Sequence, residues 1–249
     1  MRASGQLSAD VVIQRSLTIW LQNLVSFLVL TTVVYSPLIL YSILVLHGDM
    51  SESELKSYVG VKQIAGFICN LLASAVLIHG VLQQLRGQKA DMGACFAVGF
   101  QRLLSVLLVG VAVAILVGLG LLALIIPGVL LMLVFYVAVP ITVVERLGVV
   151  DTLKRSHQLT DGHKGSILFI VLMLLVISMG IGLLFSFLVG AIGDDMINGL
   201  GGTEVVSAYF ELLISVVVGS FAAVMSAVVY YQLRLIKGDT PDDLNRALD

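Results

Sequence analysis

Long apolar runs alternate with short polar stretches along the whole chain. A helix that crosses a bilayer needs about 20 mostly apolar residues. Six segments follow that pattern: Leu17–Leu46, Val61–Leu85, Leu103–Ile126, Val129–Val144, Ile167–Ile192 and Val205–Leu235. The fourth is the shortest. The periodicity therefore predicts an all-α polytopic membrane protein: six transmembrane helices in one compact bundle, forming a single membrane domain over residues 1–249 with a polar tail at 236–249. The first run is too long for the apolar core of a cleavable signal peptide and is expected to act as an uncleaved signal anchor.

Two stretches mix polar and apolar positions at helical spacing and are expected to lie on the membrane surface. Ser8 is placed to cap a helix starting near Ala9, with Asp10 in its first turn. Further on, Val149, Leu153 and Thr160 share one face while Asp151, Lys154, Arg155 and Gln158 point elsewhere, as in an interfacial helix. At the end of the chain, Asp239-Thr240-Pro241-Asp242-Asp243 reads as a fresh helix start, and Leu244 and Leu248 give it a short apolar stripe.

Breaks and small residues add detail. Ile126-Pro127-Gly128 is an uncharged connection expected to turn between the third and fourth helices, joining either two full spans or a re-entrant hairpin. Pro37 and Pro140 lie inside spans, where a missing N–H favours a kink. Lipid supplies no hydrophobic drive for helix association, so close approach at small residues must supply it. Candidate seams are Gly110, Ala114 and Gly118 on the third helix, and Ser178, Gly182, Ser186 and Gly190 on the fifth. The sixth carries Ser215, Gly219, Ala223 and Ala227, and the second a more polar stripe of Gly66, Asn70 and Ser74. Any one stripe could instead meet a second copy.

Composition agrees with a bilayer as solvent. Only 12% of residues are charged and 59% are hydrophobic, against about 25% charged in soluble domains. The mean hydropathy is +1.06. The net charge of −2 matters less than its distribution. Arg2, Arg15, Arg86, Lys89, Arg102, Arg146, Lys154, Arg155, Lys164, Arg234, Lys237 and Arg246 all fall on one side of a six-span topology. Lys56 and Lys62 face the other side beside Asp49, Glu52, Glu54, Asp194, Asp195 and Glu204. By the positive-inside rule both termini are expected in the cytoplasm. No basic block points to nucleic acid.

Candidate chemistry is sparse. Cys69 and Cys95 form no C-x-x-C pair. His47, His79, His157 and His163 lack metal-site spacing, although His157, His163 and Asp161 could approach one another at the inner surface. Glu145 has Arg146 beside it as a local partner, Glu211 falls near the outer end of the sixth helix, and Asn70 is the strongly polar residue near mid-membrane. No phosphate-binding loop, nucleophile elbow or dinucleotide fingerprint is present. Neither catalysis, a cofactor nor a metal is expected.

Several short motifs then occur in a telling order: Ser8-Ala9-Asp10-Val11-Val12 with Arg15, Leu85-Arg86-Gly87, Ile126-Pro127-Gly128, Pro140 and Glu145-Arg146-Leu147-Gly148. Leu153-Lys154-Arg155-Ser156, Leu159-Thr160, Gly162 and Tyr230-Tyr231-Gln232-Leu233-Arg234 follow. In these the chain, from roughly Leu7 to Asp249, resembles the glycerophosphoryl diester phosphodiesterase membrane domain family. Thr152 stands where that family often has alanine, and Gln232 where it often has aspartate. The catalytic His-Arg-Gly motif of fused relatives is missing. The resemblance implies the membrane module without the enzyme, in a bacterial inner membrane.

The expected function is accordingly non-enzymatic: binding of membrane lipid or a glycerophosphodiester-like molecule, or anchoring of a protein partner or second copy. Arg86, Lys89, Arg102, Lys154 and Arg155 are the expected phosphate contacts. The alternative is a transporter of a small amphiphile, routed along the helices kinked at Pro37 and Pro140.

Overall fold

Asn23 divides the first apolar run in two. Its side chain donates through Nδ2 to the Ile19 carbonyl at 3.0 Å, and its backbone leaves helical geometry at φ −119° and ψ 21°. Such local bonding by Asn competes with the helix ladder. So α1 (Ala9–Gln22) ends there and α2 (Leu24–Leu46) begins. The first span starts at Leu24, not Leu17. Ser8 occupies the cap position of α1, but its side chain makes no capping bond.

The computed structural model describes residues 7–46, 52–87, 92–192 and 202–239. The remaining helices are α3 (Glu52–Leu85), α4 (Met92–Gln101), α5 (Leu103–Ala123), α6 (Ile125–Val134) and α7 (Ala138–Glu145). They are followed by α8 (Val149–Thr160), α9 (Lys164–Ile192) and α10 (Thr203–Ile236). Six spans are long and apolar enough to cross a membrane, with α6 and α7 together forming the fourth. The protein is an all-α, multi-pass membrane protein. The expected tail helix, His47 and Lys89 lie outside the described residues.

The third and fourth spans turn one step earlier than Pro127-Gly128. Leu124 is extended (φ −164°, ψ 147°) and separates α5 from α6. Pro127 falls in the first turn of α6, where an N–H would have no helical partner. Gly128 is there for contact: a Cβ on it would lie 2.6 Å from the Leu121 backbone nitrogen, and one on Gly120 would lie 2.9 Å from the Gly128 Cα. The hairpin closes backbone to backbone.

Each interior proline frees a carbonyl, and each freed carbonyl is satisfied. Pro37 leaves α2 continuous, and the Ser36 hydroxyl donates to the Val33 carbonyl at 2.7 Å. Pro140 follows a real interruption at residues 135–137 between α6 and α7. The Tyr136 carbonyl, four residues before Pro140, accepts from the Ser226 hydroxyl of α10 at 3.2 Å.

The core is built on α3 and α10. Leu77, Ile78 and Leu82 of α3 meet Met225, Tyr230 and Leu233 of α10, joined by Phe27, Ile141, Leu159 and Ile170. The surface helix α1 packs its buried Val12, Ser16 and Ile19 against α10, and Trp20 donates to the Ser220 hydroxyl at 2.9 Å. The basic groups gather at one end. Arg15 stacks over the Tyr231 ring at 5.5 Å, Arg155 meets Glu145, and Lys237 donates to the Asp161 carbonyl at 3.2 Å. The Lys62–Glu211 pair marks the opposite end.

The small-residue stripes divide sharply. Gly110 is buried, and a Cβ there would run into the Leu71 side chain. Gly219 leaves room for the Asn70 amide, and Ala223 and Ala227 are buried. Gly66 faces Leu38. In contrast, Gly118, Gly182 and Gly190 face open space, and Ala114 and Ser186 are exposed. Ser178 and Ser186 bond only to carbonyls of their own helix. Among the described residues the α9 stripe is therefore no seam, and on α5 only Gly110 is.

Candidate functional site

The interruption at residues 135–137 shapes the basic end. It strands the Val134 carbonyl, which α8 covers: Ser156 Oγ donates to it at 2.6 Å and Thr160 Oγ1 at 3.3 Å. Thr152, Ser156, Leu159 and Thr160 are the buried face of α8. This corrects the expected apolar face of Val149, Leu153 and Thr160. The helix is held into the broken span by hydroxyls, and its buried stripe is largely polar. An unpaired carbonyl in a lipid-like interior costs several kcal/mol, which accounts for hydroxyls at these positions.

Anchoring α8 this way leaves a groove between it and α6. The groove has a volume of about 690 Å³. Pro127, Leu130, Leu131, Val134 and Phe135 form one wall. Leu153 faces them, and Lys154, His157 and Gln158 form a polar rim. The wall is apolar along its length, and Lys154 is the cation on the rim.

Beside the groove lies a partly buried charged network. Glu145 ends α7, and Arg146 follows in the left-handed conformation (φ 56°), which turns the chain toward α8. Glu145 does not pair with Arg146. Its carboxylate accepts from Arg155 Nε at 3.0 Å and from the Tyr230 hydroxyl at 3.0 Å. Arg234 donates to the Tyr230 hydroxyl at 3.0 Å and to Asp239 at 2.5 Å. Two cations and two carboxylates thus cancel, tying α7, α8 and α10 together.

A third constellation anchors the start of the chain. The Leu7 backbone N–H donates to His163 Nδ1 at 3.4 Å, and Ser166 donates to the Leu7 carbonyl at 2.7 Å. Burial, with the Lys237 cation second, pushes the His163 pKa below its ordinary value, and Asp161 opposes them. The imidazole is held neutral, as an acceptor must be. Among the described residues no group of three His, Cys, Asp or Glu side chains could hold a metal ion. The expected approach of His157, His163 and Asp161 yields no such site.

The expected phosphate contacts that are described differ in their surroundings. Lys154 is exposed on the groove rim. Arg155 is committed to Glu145 and approaches Asp239 at 3.8 Å. Arg86 is half-buried in the turn after α3, and Arg102 half-buried where α4 meets α5. Lys89 lies outside the described residues.

Sequence reasoning missed the network because Glu145, Arg155, Tyr230, Arg234 and Asp239 are far apart along the chain. It also missed a cleft at the opposite end, lined by Tyr35, Lys62, Gln63, Gly66, Asn70 and Glu211, with a volume of about 190 Å³. One opposite charge in each of two apolar spans, at the same end, was the available signal for that pair.

The break in the fourth span is filled by hydroxyls from α8 and α10, and α2 passes Pro37 unbroken. The groove and the cleft are separate features at opposite ends. The chain matches no family model, no curated protein and no solved structure.

Proposed function

We propose that this chain is a non-enzymatic protein of a bacterial inner membrane that holds an anionic phospholipid in the groove between α6 and α8. In this reading its basic end faces the cytoplasm and it is a stand-alone module of the glycerophosphoryl diester phosphodiesterase membrane domain kind. The observation that carries the reading is the groove itself: an apolar wall running from Pro127 to Phe135, with Lys154 and His157 on the rim. Inside a bilayer the tail gains little from an apolar wall, because lipid is as apolar as leucine. Selection must come from the headgroup, and a basic residue near the surface contributes about 1 kcal/mol toward an anionic one. Arg155 and Arg234 are neutralised by carboxylates and add little to that attraction.

Native mass spectrometry from nanodiscs containing phosphatidylglycerol and phosphatidylcholine tests this. The wild-type chain is expected to retain phosphatidylglycerol, and Lys154→Glu to retain it less by about fivefold or more, the equivalent of ~1 kcal/mol per cation. Equal retention of both lipids, unchanged by Lys154→Glu, would defeat the proposal.

A further inference from the structure

The cleft at the end opposite the groove carries a second assignment. We infer that it is a binding site for a zwitterionic phosphate–ammonium headgroup, as in phosphatidylethanolamine. Its lining is polar at Tyr35, Gln63 and Asn70 although it lies between apolar spans. Asn70 pairs with the Tyr35 side chain and reaches over Gly219 of α10. Its mouth holds Lys62 of α3 paired with Glu211 of α10. The two charges differ in accessibility: the Lys62 side chain is 15% exposed and that of Glu211 65%.

That arrangement matches a zwitterion better than an anion. A lone anionic headgroup would gain from Lys62 and be repelled by Glu211. A headgroup with both charges can set its phosphate toward Lys62 and the Asn70 and Gln63 amides, and its ammonium toward Glu211. Primary ammonium supplies hydrogen-bond donors to the carboxylate, which a trimethylated ammonium lacks. Behind the lining, the ring of buried Tyr58 lies 5.9 Å from the Lys62 ammonium, and its hydroxyl donates to Ser42 at 3.0 Å. Tyr41 stacks on Tyr58 at 5.7 Å. Tyrosines gather where membrane meets water, so this cluster puts the cleft at headgroup depth.

Size narrows the ligand further. A cleft of 190 Å³ is below the roughly 300 Å³ at which pockets start to enclose whole small molecules. It takes a headgroup and leaves the tails outside, along the exposed apolar side chains of Val61, Ile64 and Leu213. This assignment is independent of the groove, whose lipid differs in headgroup charge and lies at the other end.

The test keeps the two apart by using the Lys154→Glu chain, in which groove binding is weakened. Native mass spectrometry in nanodiscs would compare phosphatidylethanolamine, phosphatidylcholine and phosphatidylglycerol at equal abundance. Phosphatidylethanolamine should be retained about tenfold over either, the equivalent of ~1.4 kcal/mol. Glu211→Gln should remove that preference. Because Glu211→Gln leaves Lys62 without its partner, Gly66→Leu is the second variant. It adds bulk at the cleft, where a Cβ meets only Leu38 at 3.8 Å, and alters no charge. It should also abolish the preference. The inference is overturned if the three lipids are retained alike, or if the preference survives in both variants.

Discussion

The helices α9 and α10 are both long and apolar, yet they live in different surroundings. The most apolar window of α9 has a mean hydropathy of 3.0 and only 11% of it is buried, whereas that of α10 has 2.5 and 50% is buried. The same inversion holds for α5 and α3, at 2.9 with 22% buried and 2.0 with 50% buried. In water the most apolar segment would be the most buried. In a bilayer the most apolar segments face the lipid, and the protein interior is where Tyr230, Ser220 and Arg234 can find partners. Glycine follows the same division. Gly219 has Asn70 against it, while Gly182 and Gly190 of α9 have nothing within 4 Å.

This contrast can be broken at its strongest point, the α5–α6 hairpin. Gly128→Leu forces a side chain into the Leu121 backbone. It should cost at least ~1–3 kcal/mol, the range for overpacking, and lower the melting temperature in detergent clearly. Gly190→Leu on α9 should leave it unchanged. Equal losses would mean that the α9 stripe is packed after all, against a second copy.

The next largest effect belongs to the charged network. Glu145→Ala leaves the Tyr230 hydroxyl and Arg155 without their shared acceptor. A buried polar group stripped of its partner costs ~1–3 kcal/mol, more when charged, and partial exposure of Arg155 reduces it. Thermal unfolding should therefore shift down for Glu145→Ala and barely move for Lys154→Ala on the exposed rim.

The smallest effect is the pH response at His163. Its folded pKa lies below the ordinary 6.5, so the free imidazole takes up a proton that the folded one refuses. The Leu7 attachment is then at full strength above the free value. It weakens as pH falls from about 6.5 toward the folded value and stays weak below it. Hydrogen exchange at residues 7–12, corrected for intrinsic rate, should quicken between about pH 7.5 and 5.5. A pH-independent protection would contradict it.

Much of the fold was legible because hydropathy reports contact with lipid directly. The six spans follow from it, and the start of α1 at Ala9 from the polar Ser8 and Asp10 beside it. What hydropathy cannot show is which face of an apolar helix meets protein. Gly182 and Gly219 look alike along the chain and differ only in what stands opposite. The break before Pro140 was signalled, but its consequence was not: Thr160 falls on one face with Val149 and Leu153, and Ser156 has no packing role, until the stranded Val134 carbonyl is in view. Lys154 was legible as a rim cation. Arg155 looked the same, and only the folded neighbourhood shows that Glu145 neutralises it.

The central claim is that the α6–α8 groove is occupied by an anionic lipid while α9 merely faces the bilayer. The chain has a single tryptophan, Trp20, so Phe135→Trp in a Trp20→Phe background reports on the groove wall alone. Brominated lipid tails quench tryptophan fluorescence on contact. Brominated phosphatidylglycerol should quench Trp at this position well above its share of the bilayer, and Lys154→Glu should remove the excess. A tryptophan placed at Phe187, on the exposed side of α9, should be quenched in proportion to lipid abundance. Quenching at the groove that ignores headgroup and Lys154 would contradict the account.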